Sequence, residues 1–311
     1  MIRITFLGTV SGIPSIDRNQ PAICLEYLGK SYYCFLFDCG ENTQVQFMKS
    51  ETSFMNIDCI FITHWHADHF AGLIPLIQTL NLEKRNRPLI VFGPDAERMM
   101  KAIYSISYYK PKFEIVFRNV NYEKKEITKI FESNDIEVLS VPVEHTIPAV
   151  AYCVKEKDKY NINITKLRKM KLKRGKWLEE IKKKGKYVID GREIKIEEIA
   201  DLKIGKKIVY SGDTRPCKEI IEIARDADIL IHDATFFEEE DVDGLYHADF
   251  KQAMEIARKA NVKLLVLTHI SRRYRDIDEL EKEAKKYFEN CVVARDLMKI
   301  ILKKNETKIF K

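Results

Sequence analysis

The 311-residue sequence has no apolar run of about 18 residues and no Cys-x-x-Cys pair. The first absence excludes an ordinary transmembrane helix, and the second argues against a zinc finger. The seven cysteines are scattered and odd in number, which predicts reduced thiols rather than a disulfide framework. The N-terminal stretch "MIRITFLGTV" indicates a strand and lacks the features of a signal peptide. We therefore expect a cytoplasmic protein.

The chain also has little net charge, only +6, but that charge is unevenly distributed. Residues 155–186 contain 14 Lys or Arg and 4 Asp or Glu, so the rest of the chain carries a net charge of −4. Such asymmetry favours a local contact with a polyanion. We interpret residues 155–207 as a basic arm inserted in a single domain of residues 1–311. A lysine-rich surface helix is the alternative.

Hydrophobic patterning predicts an α/β protein with helices outside its sheets. Nine short segments rich in β-branched and aromatic residues predict strands, and four of them are almost continuously apolar. A strand that is apolar on both faces is buried on both faces, so helices should cover the sheet. The candidate helix at 70–80 places Phe70, Leu73, Ile74 and Ile77 on one face. The candidate helix "DFKQAMEIARKA" (249–260) places five residues inward, namely Ala253, Met254, Ile256, Ala257 and Ala260.

Histidine is scarce, with seven in the chain, yet three of them lie in the stretch "FITHWHADHF". His64 and His66 are two residues apart at the end of an apolar strand, and Asp68 and His69 follow in a turn. Residues two apart on a strand point the same way, so four groups that can bind a metal are crowded together. Imidazole and carboxylate without thiolate suit zinc, manganese or iron at a catalytic site.

Three further candidates follow apolar strands elsewhere in the chain, namely His145 after "VLSVPVE", Asp213 after "IVYSG" and His269 after "LLVLT". Active sites of open α/β sheets lie at the carboxyl ends of strands. Four ligands in the histidine-rich stretch are too many for one catalytic zinc and too few for two. We therefore expect these three side chains to complete a metal site.

At this point the sequence resembles the metallo-β-lactamase superfamily. The matching pieces are "FDCGE" (37–41), "THWHADH" (63–69), His145, "SGD" (211–213) and "THIS" (268–271). The resemblance implies a four-layer αββα fold with two metal ions at the shared edge of its sheets. It implies that one metal is held by His64, His66 and His145, and that the second is held by Asp68, His69 and His269. Asp213 would bind both metals, and Asp38 would orient ligands by hydrogen bonds.

Three segments resemble the ribonuclease Z family, endonucleases that remove 3′ trailers from precursor tRNA. The first is "FLGTVSGIPSIDRN" (6–19), and the second is the series "HDATFFEE", "YHADF" and "LTHISRRY" (232–274). The third is the basic arm, which lies where that family carries an arm that grips tRNA. This chain departs from the family in two ways. It has no proline between Pro148 and Pro216. It also has Asp233 where the family usually has Glu before "AT", and "HAD" (247–249) where the family usually has Ser-Thr after the distal histidine.

The resemblance implies a zinc-dependent homodimer with two Zn²⁺ per subunit, Mn²⁺ being possible, that cleaves precursor tRNA to a 3′-hydroxyl and a 5′-phosphate. By the same resemblance Asp68 orients the attacking hydroxide and accepts its proton. His247 would protonate the leaving 3′ oxygen, and Asp233 would orient His247. For RNA binding we propose Arg273 beside the metal ligands and, in the arm, Lys171, Lys173, Arg174 and Lys176.

Other functions remain open at this stage. A dinuclear-metal phosphodiesterase or a thioesterase would use the same metals but would not need a basic arm. A non-catalytic RNA-binding protein with this fold predicts a broken metal position, and every position is filled here. A DNA-repair or mRNA-processing nuclease of the superfamily typically carries a large further domain after the metal motifs, for which the roughly 40 residues after His269 leave no room.

Overall fold

The computed structural model describes residues 1–105, 110–189, 191–237, 246–303 and 306–311. Strands in these ranges are β1 Ile2–Gly8, β2 Ala22–Leu28, β3 Tyr32–Phe37, β4 Cys59–Phe61, β5 Leu89–Gly93, β6 Ile115–Asn119, β7 Thr128–Glu132, β8 Ile136–Val143, β9 Ala149–Glu156, β10 Lys159–Ile162, β11 Lys186–Ile189, β12 Arg192–Lys195, β13 Ala200–Lys203, β14 Lys207–Tyr210, β15 Ile229–Asp233, β16 Leu265–Thr268, β17 Cys291–Val293, β18 Lys299–Leu302 and β19 Thr307–Phe310. The helices are α1 Thr43–Lys49, α2 Ala67–Phe70, α3 Leu73–Leu82, α4 Ala96–Ser105, α5 Ile164–Lys169, α6 Trp177–Lys184, α7 Ile196–Ile199, α8 Lys218–Ala224, α9 Phe250–Lys259 and α10 Ile277–Tyr287.

The chain divides into two compact units, Met1–Val154 with Lys207–Lys311, and Lys155–Lys206. The first unit contains two large sheets. One has the strand order β19-β18-β1-β2-β3-β4-β5-β6, and the other has the order β17-β16-β15-β14-β9-β8-β7. In the first sheet β3 to β6 are parallel, and in the second β14 to β17 are parallel. All nine predicted strand segments coincide with strands of these two sheets.

Residues that alternate along each strand build the layers of the first unit. On β3, Phe35 and Phe37 join a core between the two sheets, whereas Cys34 and Leu36 face a second core that includes residues of α1, α3 and α4. The opposite sheet follows the same rule, and its outer residues pack against α8, α9 and α10. The order of layers is therefore helices, sheet, sheet and helices, as the sequence predicted.

The sequence predicted which residues of two helices face the core, and the prediction is right for one helix and partly wrong for the other. On α9 and at the residue that follows it, all five residues predicted to face inward are buried, namely Ala253, Met254, Ile256, Ala257 and Ala260. On α3 the prediction for Ile74 was wrong, because Ile74 is 36% exposed while Leu73, Leu76, Ile77 and Leu80 form the buried stripe. Phe70 belongs to α2 and does not define a face of α3, and Ile74 lies about 100° around the helix from Leu73, outside the buried stripe. No helix in the described ranges combines the length and the apolar character that a bilayer crossing requires.

The second unit has a small core of its own. The strand β10 pairs with β13, and β11 pairs with β12, both antiparallel. Helices α5, α6 and α7 contribute to a cluster of buried residues made of Leu167, Ile181, Ile194, Ile196, Ile199 and Ala200. The alternative of a single lysine-rich surface helix was therefore wrong. It failed because apolar residues spaced between the lysines, such as Met170 and Leu172, pack against this cluster.

Candidate metal centre

The predicted metal ligands lie just beyond the carboxyl ends of strands in both sheets of the first unit. His64 follows β4 by three residues, His145 follows β8 by two, and His269 directly follows β16. His66 precedes the short helix α2, which carries Asp68 and His69. Parallel neighbours end at the same sheet edge, so the strand order itself gathers these side chains.

The first group of ligands is formed by His64, His66 and His145. The Nδ1 atom of His66 lies 3.0 Å from Nε2 of His64 and 3.0 Å from Nε2 of His145. Two nitrogens bound to one tetrahedral zinc at about 2.1 Å lie about 3.4 Å apart. The three imidazoles are therefore spaced as ligands of one cation, because one ring nitrogen from each lies within 4.8 Å of those of the other two.

The second group contains Asp68, His69, Asp213 and His269. The Oδ2 atom of Asp213 lies 3.2 Å from Nε2 of His69 and 3.4 Å from Nε2 of His269. The same oxygen is 3.7 Å from Nε2 of His64 in the first group. Asp213 thus lies between the two groups, where a carboxylate has to lie if it is to serve two cations.

Three buried atoms of this group have no hydrogen-bond partner among the described residues, namely Nε2 of His69, Nε2 of His269 and Oδ1 of Asp213. Buried polar atoms are rarely left without a partner, because each costs about 1–3 kcal/mol. Nitrogen and carboxylate oxygen are also the donors that divalent transition metals accept at catalytic sites. The residues present therefore fit a pair of cations.

Asp38 fixes the orientation of His69. Its Oδ2 atom lies 2.8 Å from Nδ1 of His69 and accepts a hydrogen bond of 2.8 Å from the hydroxyl of Tyr210. Its Oδ1 atom accepts a hydrogen bond of 2.8 Å from the backbone N–H of Thr63. A carboxylate behind a histidine directs the opposite ring nitrogen toward a metal.

The outer nitrogens of three other histidines are also engaged. Nδ1 of His64 lies 3.0 Å from the hydroxyl of Thr63, and Nδ1 of His269 lies 2.9 Å from the hydroxyl of Thr235. Nδ1 of His145 lies 3.2 Å from the backbone oxygen of Tyr246, the residue before His247. None of these partners was predicted from the sequence. Their only signal was adjacency to the motifs, Thr63 directly before His64 and Thr235 in "DAT".

The two groups of histidines differ in pKa. Burial lowers the pKa values of His64, His66 and His145, which favours the neutral imidazole that binds metals. Burial also opposes the charge of His69 and His269, but the surrounding carboxylates, Asp213 foremost, together outweigh it and raise both pKa values. The pKa of His269 rises to about 10. In the second group, metal binding must therefore displace protons.

A fourth carboxylate holds the predicted general acid. Oδ2 of Asp233 lies 2.8 Å from Nδ1 of His247, while Oδ1 accepts a hydrogen bond of 2.7 Å from the hydroxyl of Thr235. Burial opposes the charge of His247, but Asp233 outweighs it and raises the pKa of His247 above its ordinary value. Nδ1 of His247 is 4.0 Å from Oδ2 of Asp213, so this pair borders the ligand cluster.

The cluster opens into a cavity of about 1640 Å³. Its wall includes residues 11–18, Phe236 and three exposed arginines of the loop after β16, Arg272, Arg273 and Arg275. The guanidinium of Arg273 lies 5.5 Å from the centre of the Phe236 ring. A cavity of this width with cationic groups on its wall suits a large anionic substrate.

The wall segment 11–18 is tied to the ligand cluster at two points. The backbone N–H of Gly12 donates a hydrogen bond of 2.9 Å to Oδ2 of Asp68. The buried guanidinium of Arg18 donates to the backbone oxygens of Ile270, Ser271 and Tyr274, directly after His269. A rearrangement of this segment would therefore disturb both Asp68 and the loop that carries His269.

The predicted RNA-binding residues Lys171, Lys173, Arg174 and Lys176 lie in the second unit, between α5 and α6, and all four are exposed. Among the described residues none of them has a carboxylate partner within salt-bridge distance. Other cations of this unit are paired, including Lys184 with Glu180 and Lys186 with Glu193. Unpaired cations are available for phosphate groups.

We predict that the purified chain binds about two divalent cations, and that His145→Ala and His269→Ala each lose about one of them, because each substitution removes a ligand from a different group. Elemental analysis of dialysed protein measures this count. His232→Gln is the matched control, since His232 is buried but belongs neither to the two groups of ligands nor to the Asp233–His247 pair. Equal metal content in all three variants would contradict the assignment.

Two family models match the chain. The model described as anti-Pycsar protein Apyc1 matches residues 2–164, and the model described as beta-lactamase superfamily domain matches residues 197–270. The first match ends before Asp213, His247 and His269, and therefore covers only part of the ligand cluster. The second match includes Asp213 and His269, and it agrees with the fold class that the sequence predicted.

Curated relatives match the chain along nearly its whole length. The ribonuclease Z of Archaeoglobus fulgidus is 40% identical over 306 residues, which cover 96% of this chain and 97% of the relative. The ribonuclease Z of Thermococcus sibiricus is 39% identical over 292 residues, covering 93% and 92%. That of Pyrococcus horikoshii is 35% identical over 314 residues, covering 100% and 99%.

Solved structures agree with these relatives. The short form of human tRNase Z has a TM-score of 0.69 and 25% identity, covering 97% of this chain and 99% of its own. The metallo-beta-lactamase fold protein YhfI of Bacillus subtilis has a TM-score of 0.67 and 19% identity, covering 96% and 98%. The fold and the family that the sequence predicted are thus both confirmed. The chain belongs to the ribonuclease Z family, within the beta-lactamase superfamily.

Proposed function

We propose that this chain is a metal-dependent endoribonuclease that removes the 3′ trailer from precursor tRNA and leaves a 3′-hydroxyl on the tRNA and a 5′-phosphate on the trailer. One observation carries the proposal: the metal-ligand cluster, the Asp233–His247 pair and the arginine-bearing wall meet in a single open cavity. Full-length similarity to ribonuclease Z proteins supports the choice of substrate.

We further propose that the resident cations are two zinc ions per chain, or manganese ions in their place, held by the two groups of ligands. A cation pair of this kind supplies a water of lowered pKa and neutralises charge on the phosphate oxygens. The absence of thiolate from the ligand set agrees with either metal.

Asp68 is the residue we assign to the proton of the attacking water. Its pKa lies below the usual range, because the neighbouring His69 and His269 outweigh the effect of burial, so it is ionised near neutrality. The N–H of Gly12 donates a hydrogen bond to its Oδ2 atom, and Nε2 of His69 and Nε2 of His269 each lie 3.5 Å from the same oxygen. An ionised, fixed carboxylate can both orient a water molecule and accept its proton.

His247 is the residue we assign to the leaving group. Asp233 occupies its Nδ1 atom, so Nε2 is the nitrogen left to donate a proton to the 3′ oxygen. The raised pKa of His247 favours the protonated form at neutral pH, as a general acid requires. The shorter side chain of Asp233, in place of the Glu usual in the family, reaches His247 at 2.8 Å.

Arg273 and the four unpaired cations of the second unit are the residues we assign to RNA phosphates. Arg273 can approach a phosphate near the scissile bond, because it lines the cavity. Lys171, Lys173, Arg174 and Lys176 would hold the tRNA backbone without reading its sequence. In this proposal residues 155–207 form the tRNA-binding arm of the domain. The cytoplasmic location stays a prediction from the sequence.

The cleavage assay uses a 3′-extended precursor tRNA with the product end mapped to one nucleotide. We expect a single cut at the end of the acceptor stem, lost on chelation and reduced about 10³-fold or more in Asp68→Ala, since this residue handles the proton of the nucleophile. Glu255→Ala, which removes an exposed partner of Lys259, is the control. Turnover of bis-p-nitrophenyl phosphate without tRNA cleavage would instead favour a phosphodiesterase of another substrate.

The arm is tested by charge rather than by deletion, because removing residues 160–186 would cut through the core of the second unit. We expect alanine at the four positions 171, 173, 174 and 176 to raise KM for precursor tRNA about 10–100-fold at moderate salt and to lower the salt dependence by roughly one unit per lost contact. Turnover of the small phosphodiester should not change.

The matched control for the arm removes four cations that are already paired, Lys184, Lys186, Arg192 and Lys203. It changes the net charge of the chain equally. If both quadruple variants raised KM to the same extent, general electrostatic attraction would explain the effect and the assignment of specific residues would be wrong.

We also propose a homodimer in which the arm of one subunit binds the tRNA that the other subunit cleaves. The test mixes Asp68→Ala with the variant that lacks the four unpaired cations, after unfolding and refolding them together. We expect the mixture to recover about a quarter to a half of the original activity at low tRNA concentration, because mixed dimers keep one complete pair of arm and site. Activity no higher than the sum of the separate variants would reject this arrangement.

A further inference from the structure

Four residues at the ligand cluster have a left-handed backbone, and one of them is unusual. Asp38, Gly212, Tyr246 and His269 have φ angles of 54°, 59°, 51° and 59°. Gly adopts this conformation freely, and Asp and His adopt it more often than other residues. Tyr246 is bulky and has no such tolerance. Its backbone must be held in place by its surroundings.

The position of Tyr246 explains why its conformation matters. Its backbone oxygen lies 3.2 Å from Nδ1 of the ligand His145. The next residue is His247, whose ring is held by Asp233. A rotation at Tyr246 would therefore turn the carbonyl away from His145 and displace His247 at the same time.

Arg215 makes the contact that holds Tyr246. Its guanidinium carbon lies 4.6 Å from the centre of the Tyr246 ring, within cation–π distance. Its Nε atom donates a hydrogen bond of 2.7 Å to Oε2 of Glu144, and its backbone N–H donates one of 3.1 Å to the oxygen of Glu144. Lys125 binds the other carboxylate oxygen of Glu144 at 2.9 Å. The guanidinium is thus fixed on one side and stacked on the other.

Arg215 also joins the ends of two ligand-bearing strands. It lies two residues after Asp213, and Glu144 directly precedes His145. The Arg215 side chain is 51% exposed and that of Glu144 is 29% exposed, so their ion pair contributes little to folding stability. The contact is better suited to position Tyr246 than to stabilise the protein.

We propose that Arg215 is a positioning residue: its stacking on Tyr246 maintains the left-handed backbone that directs the Tyr246 carbonyl at His145 and places His247 beside Asp233. Because Nδ1 of His145 donates its proton to this carbonyl oxygen, Nε2 of His145 carries no proton. Nε2 is then directed toward the other members of the first group of ligands. Partners of this kind change metal affinity about 10–100-fold. The role of His247 rests on the proposed function, whereas the effect on His145 concerns metal binding alone.

The test is a double-mutant cycle read out by zinc affinity. Zinc is titrated into the metal-free full-length chain in competition with a chromophoric chelator, and both dissociation constants are fitted. We expect Arg215→Met to weaken one of the two constants about 10–100-fold in the original background. In the Tyr246→Gly background the same substitution should change that constant about twofold or less, because glycine keeps the left-handed conformation without a clamp.

Two controls separate positioning from folding. Arg98→Met removes an exposed, paired arginine on α4 and should leave both constants unchanged. Arg215→Lys keeps a cation beside Glu144 but loses the planar group that stacks, so an intermediate loss is expected. Thermal unfolding of every variant shows whether each chain is folded before its affinity is read.

An equal loss of affinity from Arg215→Met in both backgrounds would overturn the proposal, because the effect would then not pass through the backbone of Tyr246. No loss in the original background would overturn it as well. Cleavage of precursor tRNA is measured separately on the same variants. Failure of the wild-type chain to cleave tRNA would reject the proposed function, while the zinc cycle would still decide the role of Arg215.

Discussion

The buried carboxylate of Asp213 is the constraint on which the rest of the site depends. It is 3% exposed, its Oδ1 atom has no hydrogen-bond partner among the described residues, and its Oδ2 atom faces His64, His69 and His269. An uncompensated buried charge is costly, so cations have to surround it. Protonated histidines can do so without metal, as the raised pKa values of His69 and His269 indicate, and metal ions can do so in their place.

The sheet topology brings the required groups around Asp213 because the carboxyl ends of neighbouring parallel strands lie at the same edge of a sheet. Asp213, Asp233 and His269 follow or end the neighbouring strands β14, β15 and β16, and β3 and β4 bring Asp38 and His64 together in the other sheet. The loops that follow must then pack backbone against backbone. A Cβ atom on Gly72 would lie 2.1 Å from the oxygen of Gly40, so only glycine permits the approach that places Asp38 beside His69.

Sequence patterns predicted the fold and the gathering of ligands because both depend on regular features, namely apolar strands and ionisable residues at their ends. They failed where the deciding feature was local. The face of α3 was misjudged at Ile74 because Phe70, which belongs to α2, was counted as part of the same helix. Tyr210 gave no signal, because its side chain packs in the sheet core like an apolar residue while only its hydroxyl reaches Asp38. Glu238 and Glu239 of the motif "HDATFFEE" lie outside the described residues.

The cavity wall and the ligand cluster share their supporting hydrogen bonds. Arg18 binds the backbone of the loop that carries both His269 and the exposed arginines, and Asp296 accepts hydrogen bonds from the side chains of Thr9, Asn19 and Gln46 at the base of the same wall. The buried guanidinium of Arg18 and the partly buried carboxylate of Asp296 each have several partners, so they resist movement more than single contacts do. A substrate phosphate that binds the arginine wall is therefore held by the same backbone that holds His269. Because that backbone fixes both, the distance from the wall to the metal ligands is set by the fold before any substrate binds.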